Sequence, residues 1–511
     1  MDLGTAFAFA CARRPDAEAF VEGGRRCTYG AWLSEIRAVA GGLRQLGLIA
    51  GNHLVVVMRN HYEMATLYWA CHLLGVIFTP VNFRASSAEI AYCLEDAEAS
   101  AVAYDGAARE AAPAAAARLG IDPRRLIVAA DGVGEGSSFE QLLAARPVDG
   151  PATVDEHKIC LMLYTSGTTG RPKGVPRSHR AELMAAVSQI AHHHYRAGES
   201  ALGVMPMFHT MGVRTLLSSA LVNGKLVCMP DYAPEAVLRL TAEERISALF
   251  LVPTMFHDIL REPGIESFDL SRVSRVSYAG MAMTPALVEK CLAMLRPDVF
   301  VNHYGSSEIY TFTICDHRRK PGCAGRAGLN QRIRVVSADP DRRDDIETDL
   351  PPGEPGEIIA SLRSPEAFSG YWKRPDADAR SIQGSWYRTG DLGRFDQDGE
   401  LYVLGRVDDM IISGGENIYP EEVEDALARS RLVAGVAVVG LPDERLGTRV
   451  VAFVEPADVL PSPQALDDAC LSGGLARYKR PRDYVFVKSI PRSASGKILR
   501  RRLRVGDYEK L

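Results

Sequence analysis

The segment Leu163-Tyr164-Thr165-Ser166-Gly167-Thr168-Thr169-Gly170-Arg171-Pro172-Lys173-Gly174 decides how the rest of this chain is read. It follows an apolar, strand-like stretch at 159–164. Its three glycines let the backbone fold tightly and turn amide groups toward an anion. The Thr and Ser hydroxyls and the Lys173 ammonium add donors, a composition suited to a polyphosphate. The G-x-x-x-x-G-K-[ST] spacing is absent, so the loop is not a Walker A motif.

Outward from this loop, strand patterns alternate with helix patterns. Toward the N-terminus the periodicity predicts helices at 38–48, 62–74 and 87–97, with strands at 54–58, 76–80 and 101–104. Toward the C-terminus strands are predicted at 201–205, 225–229, 248–252 and 273–278. Such alternation argues for α/β layers with parallel sheets. The Ala-rich run 106–119 reads as a solvated surface helix, and 338–357, dense in Asp, Pro and Gly, as a surface loop. Beyond it come short strands and a hairpin signal at Asp396-Gln397-Asp398-Gly399. A second, smaller α+β pattern follows, with helices at 420–429 and 462–471 and strands at 433–440, 449–454 and 483–487. The expected organisation is therefore a large multi-layer N-terminal domain, 1–407, including a β-rich subdomain, then a hinge and a small mobile C-terminal domain, 408–511.

Bulk properties narrow the partners. At 511 residues the chain exceeds one ordinary core. Its 47% hydrophobic and 24% charged residues are those of a folded globular protein. A formal charge of −5 gives no general attraction for nucleic acid or an anionic membrane. The apolar stretch 66–80 is interrupted by His72 and too short to span a bilayer. The ten cysteines form no C-x-x-C pair and read as small buried hydrophobes in a reducing cytoplasm. No basic segment precedes the apolar run at 6–12, so a cytoplasmic location is expected.

Five further segments follow the loop in order: Met205-Pro206-Met207-Phe208-His209, Asn302-His303-Tyr304-Gly305-Ser306-Ser307-Glu308, Tyr387-Arg388-Thr389-Gly390-Asp391, Gly405-Arg406-Val407-Asp408-Asp409-Met410-Ile411 and Pro491-Arg492-Ser493-Ala494-Ser495-Gly496-Lys497. Together the six resemble the signature motifs of the adenylate-forming superfamily, which includes acyl- and aryl-CoA synthetases, adenylation domains of peptide synthetases and luciferases. Ser307 stands where that family usually has Thr, and it keeps the hydroxyl.

The resemblance implies ATP, Mg²⁺ and coenzyme A as cofactors and a small carboxylic acid as substrate. It implies that Thr165, Ser166, Gly167, Thr168, Thr169, Gly170 and Lys173 grip the polyphosphate, and that Tyr304, Gly305, Ser306 and Ser307 line the nucleotide's phosphate region. Glu308, with Thr165, would hold Mg²⁺, and Asp391 and Arg406 would contact the ribose. Lys497 would stabilise charge between the carboxylate and the α-phosphate as the adenylate forms. Asp408 would be the pivot about which the small domain turns, bringing Gly414 and Gly415 toward the pantetheine tunnel. His209, counted with Lys497 and Glu308 as catalytic, would flank the acyl pocket and gate the thiol's route. Taken without the motif series, Asp391 reads as a turn residue and the arginines at 500–504 as a solvated helix face.

Proximity to the motifs places the pocket walls at Thr210, Met211, Gly212, Phe256, Tyr278, Ala279, Gly280, Met281, Ile309 and Tyr310. Aromatic, Met and small side chains suit an apolar, bulky acid. His209 occupies the place where peptide-synthetase domains usually carry an Asp for the substrate's amino group, which disfavours an α-amino acid. Residues 405–418 with Tyr478-Lys479-Arg480-Pro481 are most similar to benzoate- and halobenzoate-CoA ligases, pointing to an aromatic acid. No long insertion of the fatty acyl-AMP ligase kind is present, which favours CoA as acceptor over a carrier protein. The family's D-E-x-x-G-E segment stands here as Asp443-Glu444-Arg445-Leu446-Gly447-Thr448, without the last Glu. A homodimer is left open.

Overall fold

The computed structural model describes the chain apart from residues 166–171, 318, 319, 321, 340, 341, 343, 344, 414, 415, 474, 494 and 495 and the side chain of Asn417. Two large sheets dominate the N-terminal region. One has a parallel centre, in the order Leu126–Val128, Ala99–Tyr104, His53–Val57, Ile77–Pro80 and Ile159–Thr165, and closes with the antiparallel strand Lys173–Ser178. The other orders Thr313–Asp316, Val299–Tyr304, Arg275–Tyr278, Ala248–Leu251, Ser200–Gly203, Lys225–Cys228 and Glu18–Glu22, parallel except at its edges. The predicted α/β layering is thus present, and each strand predicted for these two sheets has both ends within two residues of an observed one.

Local chemistry explains the helix ends. Ser86 and Glu89 form a capping box that starts helix Ser87–Asp96. Helix Tyr62–Leu74 stops at Gly75, whose φ of 74° is the left-handed conformation in which helices commonly end. Between these helices and the sheets lies an aromatic core in which Phe7 stacks on Trp69 at 4.1 Å.

One reading of the sequence needs correction, and another gains a detail. The Ala-rich run is helical over Ala111–Arg118 but is not a solvated helix. Ala108, Ala112, Ala115 and Ala116 are fully buried against Leu94, Val102 and Tyr104. A face built only of methyl groups packs closely while showing no amphipathic contrast in sequence. The cysteines are mostly buried, as expected, yet Cys315 and Cys323 are not isolated: their sulfurs lie 2.7 Å apart under the Lys320 carbonyl.

A third sheet, Ile333–Val336, Gly356–Ser361, Trp386–Phe395 and Leu401–Arg406, is antiparallel and carries the Asp396–Gly399 hairpin turn. The C-terminal region builds its own sheet from Val433–Asp443, Gly447–Pro456 and Asp483–Phe486, covered by helices Pro420–Ala428 and Pro463–Ser472. Residues 443–447, the altered D-E-x-x-G segment, form the tight turn between its two long strands. Among the described residues no helix is long and apolar enough to cross a membrane.

Candidate active site

The phosphate-loop candidate is the connection of a β-hairpin. Thr165 and Lys173 are cross-strand partners at its base, while Ser166, Gly167, Thr168, Thr169 and Gly170 lie outside the described residues. Lys173 places its ammonium 4.0 Å over the Tyr371 ring. Burial lowers its pKa, Glu308 acts against that, and Arg374, Arg380 and Arg406 lower it further. Three guanidiniums thus lie near Lys173, those of Arg374 and Arg380 paired with Asp376 and that of Arg406 with Asp391.

Glu308 is buried in the turn that follows strand Val299–Tyr304. Its Oε1 accepts from the Tyr371 hydroxyl at 2.6 Å, and Tyr371 also meets the Tyr387 hydroxyl at 3.3 Å. The backbone turns here because Gly305 passes so close to Tyr310 that an added Cβ would lie 1.9 Å from its carbonyl oxygen. No other residue fits that approach. Ser306 stays in the same turn, its amide bonded to the Ile309 carbonyl at 2.9 Å.

Asp391 and Arg406 are cross-strand partners in the antiparallel pair Trp386–Phe395 and Leu401–Arg406. The Arg406 guanidinium donates to Asp391 Oδ1 at 2.6 Å, and the Tyr304 hydroxyl to Oδ2 at 2.5 Å. One carboxylate thus joins the end of a strand in the large sheet to the hairpin of the third sheet. Beyond Arg406 the chain makes a short turn, Val407–Asp409, in which Asp408 is exposed. Gly405 precedes it with φ +137°, and a Cβ there would lie 2.1 Å from the Glu421 carboxylate.

The arginines after Lys497 are not a solvated face throughout. Arg500 is nearly buried and pairs with Glu424 at 2.8 Å and Glu421 at 3.0 Å, and Arg504 pairs with Asp409 at 2.9 Å. These pairs tie the C-terminal helix Arg500–Arg504 to the segment just after Asp408. Arg501 and Arg502 are exposed, as expected. Gly414 and Gly415 lie outside the described residues.

Lys497 is exposed and follows Gly496, whose added Cβ would sit 3.6 Å from the Thr254 hydroxyl of helix Pro253–Ile259. The C-terminal loop therefore rests on the large domain. It brings Lys497 near His209, whose pKa burial, and then Lys497, lower to about 4. His209 is neutral at ordinary pH, is the N-cap of helix Thr210–Leu221, and has no partner at Nε2 among the described residues. Met211, Phe256, Tyr278 and Ala279 share one apolar cluster, with Thr210 and Gly212 flanking Met211 on the helix and Gly280 and Met281 following Ala279. Ile309 and Tyr310 belong to two other clusters.

Sequence reasoning missed Tyr371, which touches Glu308 and Lys173, and the buried Arg177 behind them. The only available signal was Gly370-Tyr371-Trp372, two aromatics after a glycine in a loop-like stretch. A buried group of His72, Cys160 and His179 has metal-ligand residue types. The Leu3 amide donates to His179 Nδ1 at 3.2 Å, so the neutral ring carries its proton on Nε2 and offers no lone pair there. This group is core packing.

Residues 7–372 match the family described as AMP-binding enzyme, and residues 422–497 match the AMP-binding enzyme C-terminal domain. The chain is 34% identical over 500 residues to a feruloyl-CoA synthase of an Amycolatopsis species, covering 96% of each chain. It is 32% identical over 521 residues to a 4-chlorobenzoate–CoA ligase of an Arthrobacter species, covering 98% of this chain and 95% of the relative. The solved structure of the anthranilate CoA ligase AuaEII in complex with anthranoyl-AMP matches with a TM-score of 0.89 at 25% identity, over 99% of this chain and 97% of that one.

Proposed function

The chain belongs to the family of AMP-binding enzymes, and from that premise we infer that it is an AMP-forming acid–thiol ligase, joining an aromatic or bulky apolar carboxylic acid to coenzyme A. A carboxylate resists nucleophilic attack because its charge and resonance oppose it. Attack of the carboxylate oxygen on the α-phosphorus of ATP forms acyl-AMP and expels pyrophosphate. The CoA thiolate then attacks the acyl carbon, the thioester forms, and AMP leaves.

The residues divide this work. Asp391, held by Tyr304 and Arg406, presents an oriented carboxylate to the ribose hydroxyls. Lys173 and the hairpin loop receive the pyrophosphate, where donors aimed at developing charge are most effective. Lys497 reaches in from the domain 408–511 and neutralises charge at the carboxylate and α-phosphate. Turning that domain about Asp408 withdraws Lys497 and opens the thiol's route beside neutral His209. Magnesium is a hard cation usually held by one or two carboxylates plus substrate phosphates, and there it neutralises phosphate charge. The buried Glu308 carboxylate, with its Oε1 fixed by Tyr371, fits that demand, and Thr165 adds a hydroxyl oxygen. The ten free thiols suit a reducing cytoplasm, where we place the reaction.

The observation that carries this reading is the convergence of Asp391, Glu308 and Lys173, with Lys497 standing near His209. Pyrophosphate release across a panel of acids, with and without CoA and with mass detection of products, tests it. Aryl-CoA formation from hydroxycinnamate- or benzoate-type acids is the expected result. Pyrophosphate release with no CoA thioester, or transfer only to a carrier protein, would overturn the CoA assignment.

A further inference from the structure

Strand Lys173–Ser178 carries Lys173 at one end, and residues 173, 175 and 177 share one face because side chains alternate along a strand. Val175 packs with Ile309, Phe368 and Tyr371 on that face. Next comes Arg177, whose side chain is fully buried. Its Nη1 donates to the Glu308 carbonyl at 2.9 Å and to the Glu366 carbonyl at 2.7 Å. Its Nε donates to the Glu182 carboxylate at 2.7 Å, and its guanidinium lies 4.0 Å over the Tyr310 ring.

The two carbonyls belong to segments far apart in sequence that both serve the phosphate site. The Glu308 carbonyl also accepts from the Phe368 amide at 2.9 Å, and three residues on, Tyr371 holds the Glu308 carboxylate. Trp372, next in the chain, donates its amide to the Gly174 carbonyl at 2.9 Å. Arg177 is thus the one side chain on the Lys173 strand that donates to both the Glu308 turn and the segment bearing Tyr371. Burying a guanidinium is expensive, and a buried ion pair by itself adds little stability over apolar residues of the same volume. What the cation supplies that an apolar residue cannot is Nη1, whose two hydrogens fix two backbone carbonyls at once while Nε holds Glu182.

We propose that Arg177 is a positioning residue for the phosphate site: by clamping the Glu308 and Glu366 carbonyls it fixes where the Glu308 carboxylate and the Tyr371 hydroxyl meet metal-bound ATP. The proposal rests on the reading that Glu308 serves the magnesium.

The test measures the Mg²⁺ concentration giving half-maximal pyrophosphate release. Arg177→Met alone leaves Glu182 buried and unpaired, so the main variant is Arg177→Met with Glu182→Leu, which removes both charges. With a wild-type circular dichroism spectrum, it should need about tenfold more Mg²⁺, the loss expected for one charge-assisted hydrogen bond. Thioester formation from supplied acyl-AMP should be unchanged. Arg177→Lys, which keeps the charge and loses the planar guanidinium that spans Glu182 and the two carbonyls, should show a smaller rise and decides the matter if the double variant does not fold. An unchanged Mg²⁺ requirement in the folded double variant, or equal losses in both half-reactions, overturns the proposal. Glu308→Gln separates the two ideas: if it too leaves the requirement unchanged, the magnesium reading of Glu308 fails and takes the proposal with it.

Discussion

Glu308 and Lys497 are both charged groups that the proposed chemistry brings to the phosphates, and the fold holds them in opposite ways. The Glu308 carboxylate is buried, with its carbonyl and its carboxylate each bound by donors from other segments. Lys497 is exposed on a loop that reaches the large domain near Thr254 and His209. The connection behind it is ionic, through Arg500 and Arg504 to Glu421, Glu424 and Asp409. A pre-organised group lowers a barrier by needing no rearrangement, whereas a group that must leave between two half-reactions cannot be locked by burial. In the proposed reaction the difference suits Glu308 to binding the leaving group and Lys497 to timing the two steps.

The sharpest way to break this contrast is Lys497→Ala. It should lower adenylation about 10²- to 10³-fold, the usual loss for a donor aimed at developing charge, while thioester formation from supplied acyl-AMP continues. Equal loss of both steps, measured by rapid quench, would mean that Lys497 does not leave between them.

A smaller effect should appear at the hinge. Burial raises the Glu421 carboxyl, Arg500 partly opposes this, and Glu424 and Asp409 add to it, so the group titrates at about 7. The folded state then binds this proton more tightly than the unfolded chain, whose ordinary Glu value is 4.5. Its contribution to stability is full below that ordinary value and is lost as pH rises through about 7. Wild type should therefore lose stability relative to Glu421→Gln between pH 5 and 8 in urea unfolding. Parallel curves for the two proteins would show that this carboxyl does not titrate there.

The smallest effect is expected at His209, held neutral by burial and then by Lys497, with a pKa of about 4. Between pH 6 and 8 the adenylation rates of wild type and His209→Asn should depend on pH in the same way. A wild-type limb near pH 6.5 that vanishes in the variant would make His209 a proton carrier instead of a wall.

Much of the site was legible because its motifs are short and contiguous. Of the proposed site only Thr165 to Lys173 announces a chemistry by local composition; Glu308, Asp391 and Lys497 were singled out by their place in the ordered motif series, and alone Asp391 reads as a turn residue. Even the Asp391–Arg406 pair follows from a hairpin whose turn residues are visible in the sequence. Tyr371 and Arg177 gave no comparable signal, since an aromatic after a glycine or a single arginine in a strand has many uses. Arg500 was misread for the same reason: its acidic partners lie far back in the chain, so the run looked merely basic.

The amino-acid sequence by itself determined the alternating layers and the hairpin turns, because periodicity and turn chemistry act over a few residues, and its ordered motifs pointed to the family. Only the tertiary structure decided that Arg177 clamps the Glu308 carbonyl 131 residues away and the Glu366 carbonyl 189 residues away. The same holds for Tyr371, which meets the Glu308 carboxylate across 63 residues. Those pairings arise because an unpaired buried polar group is costly, and which partners are within reach is set by the segments that the packed core brings together.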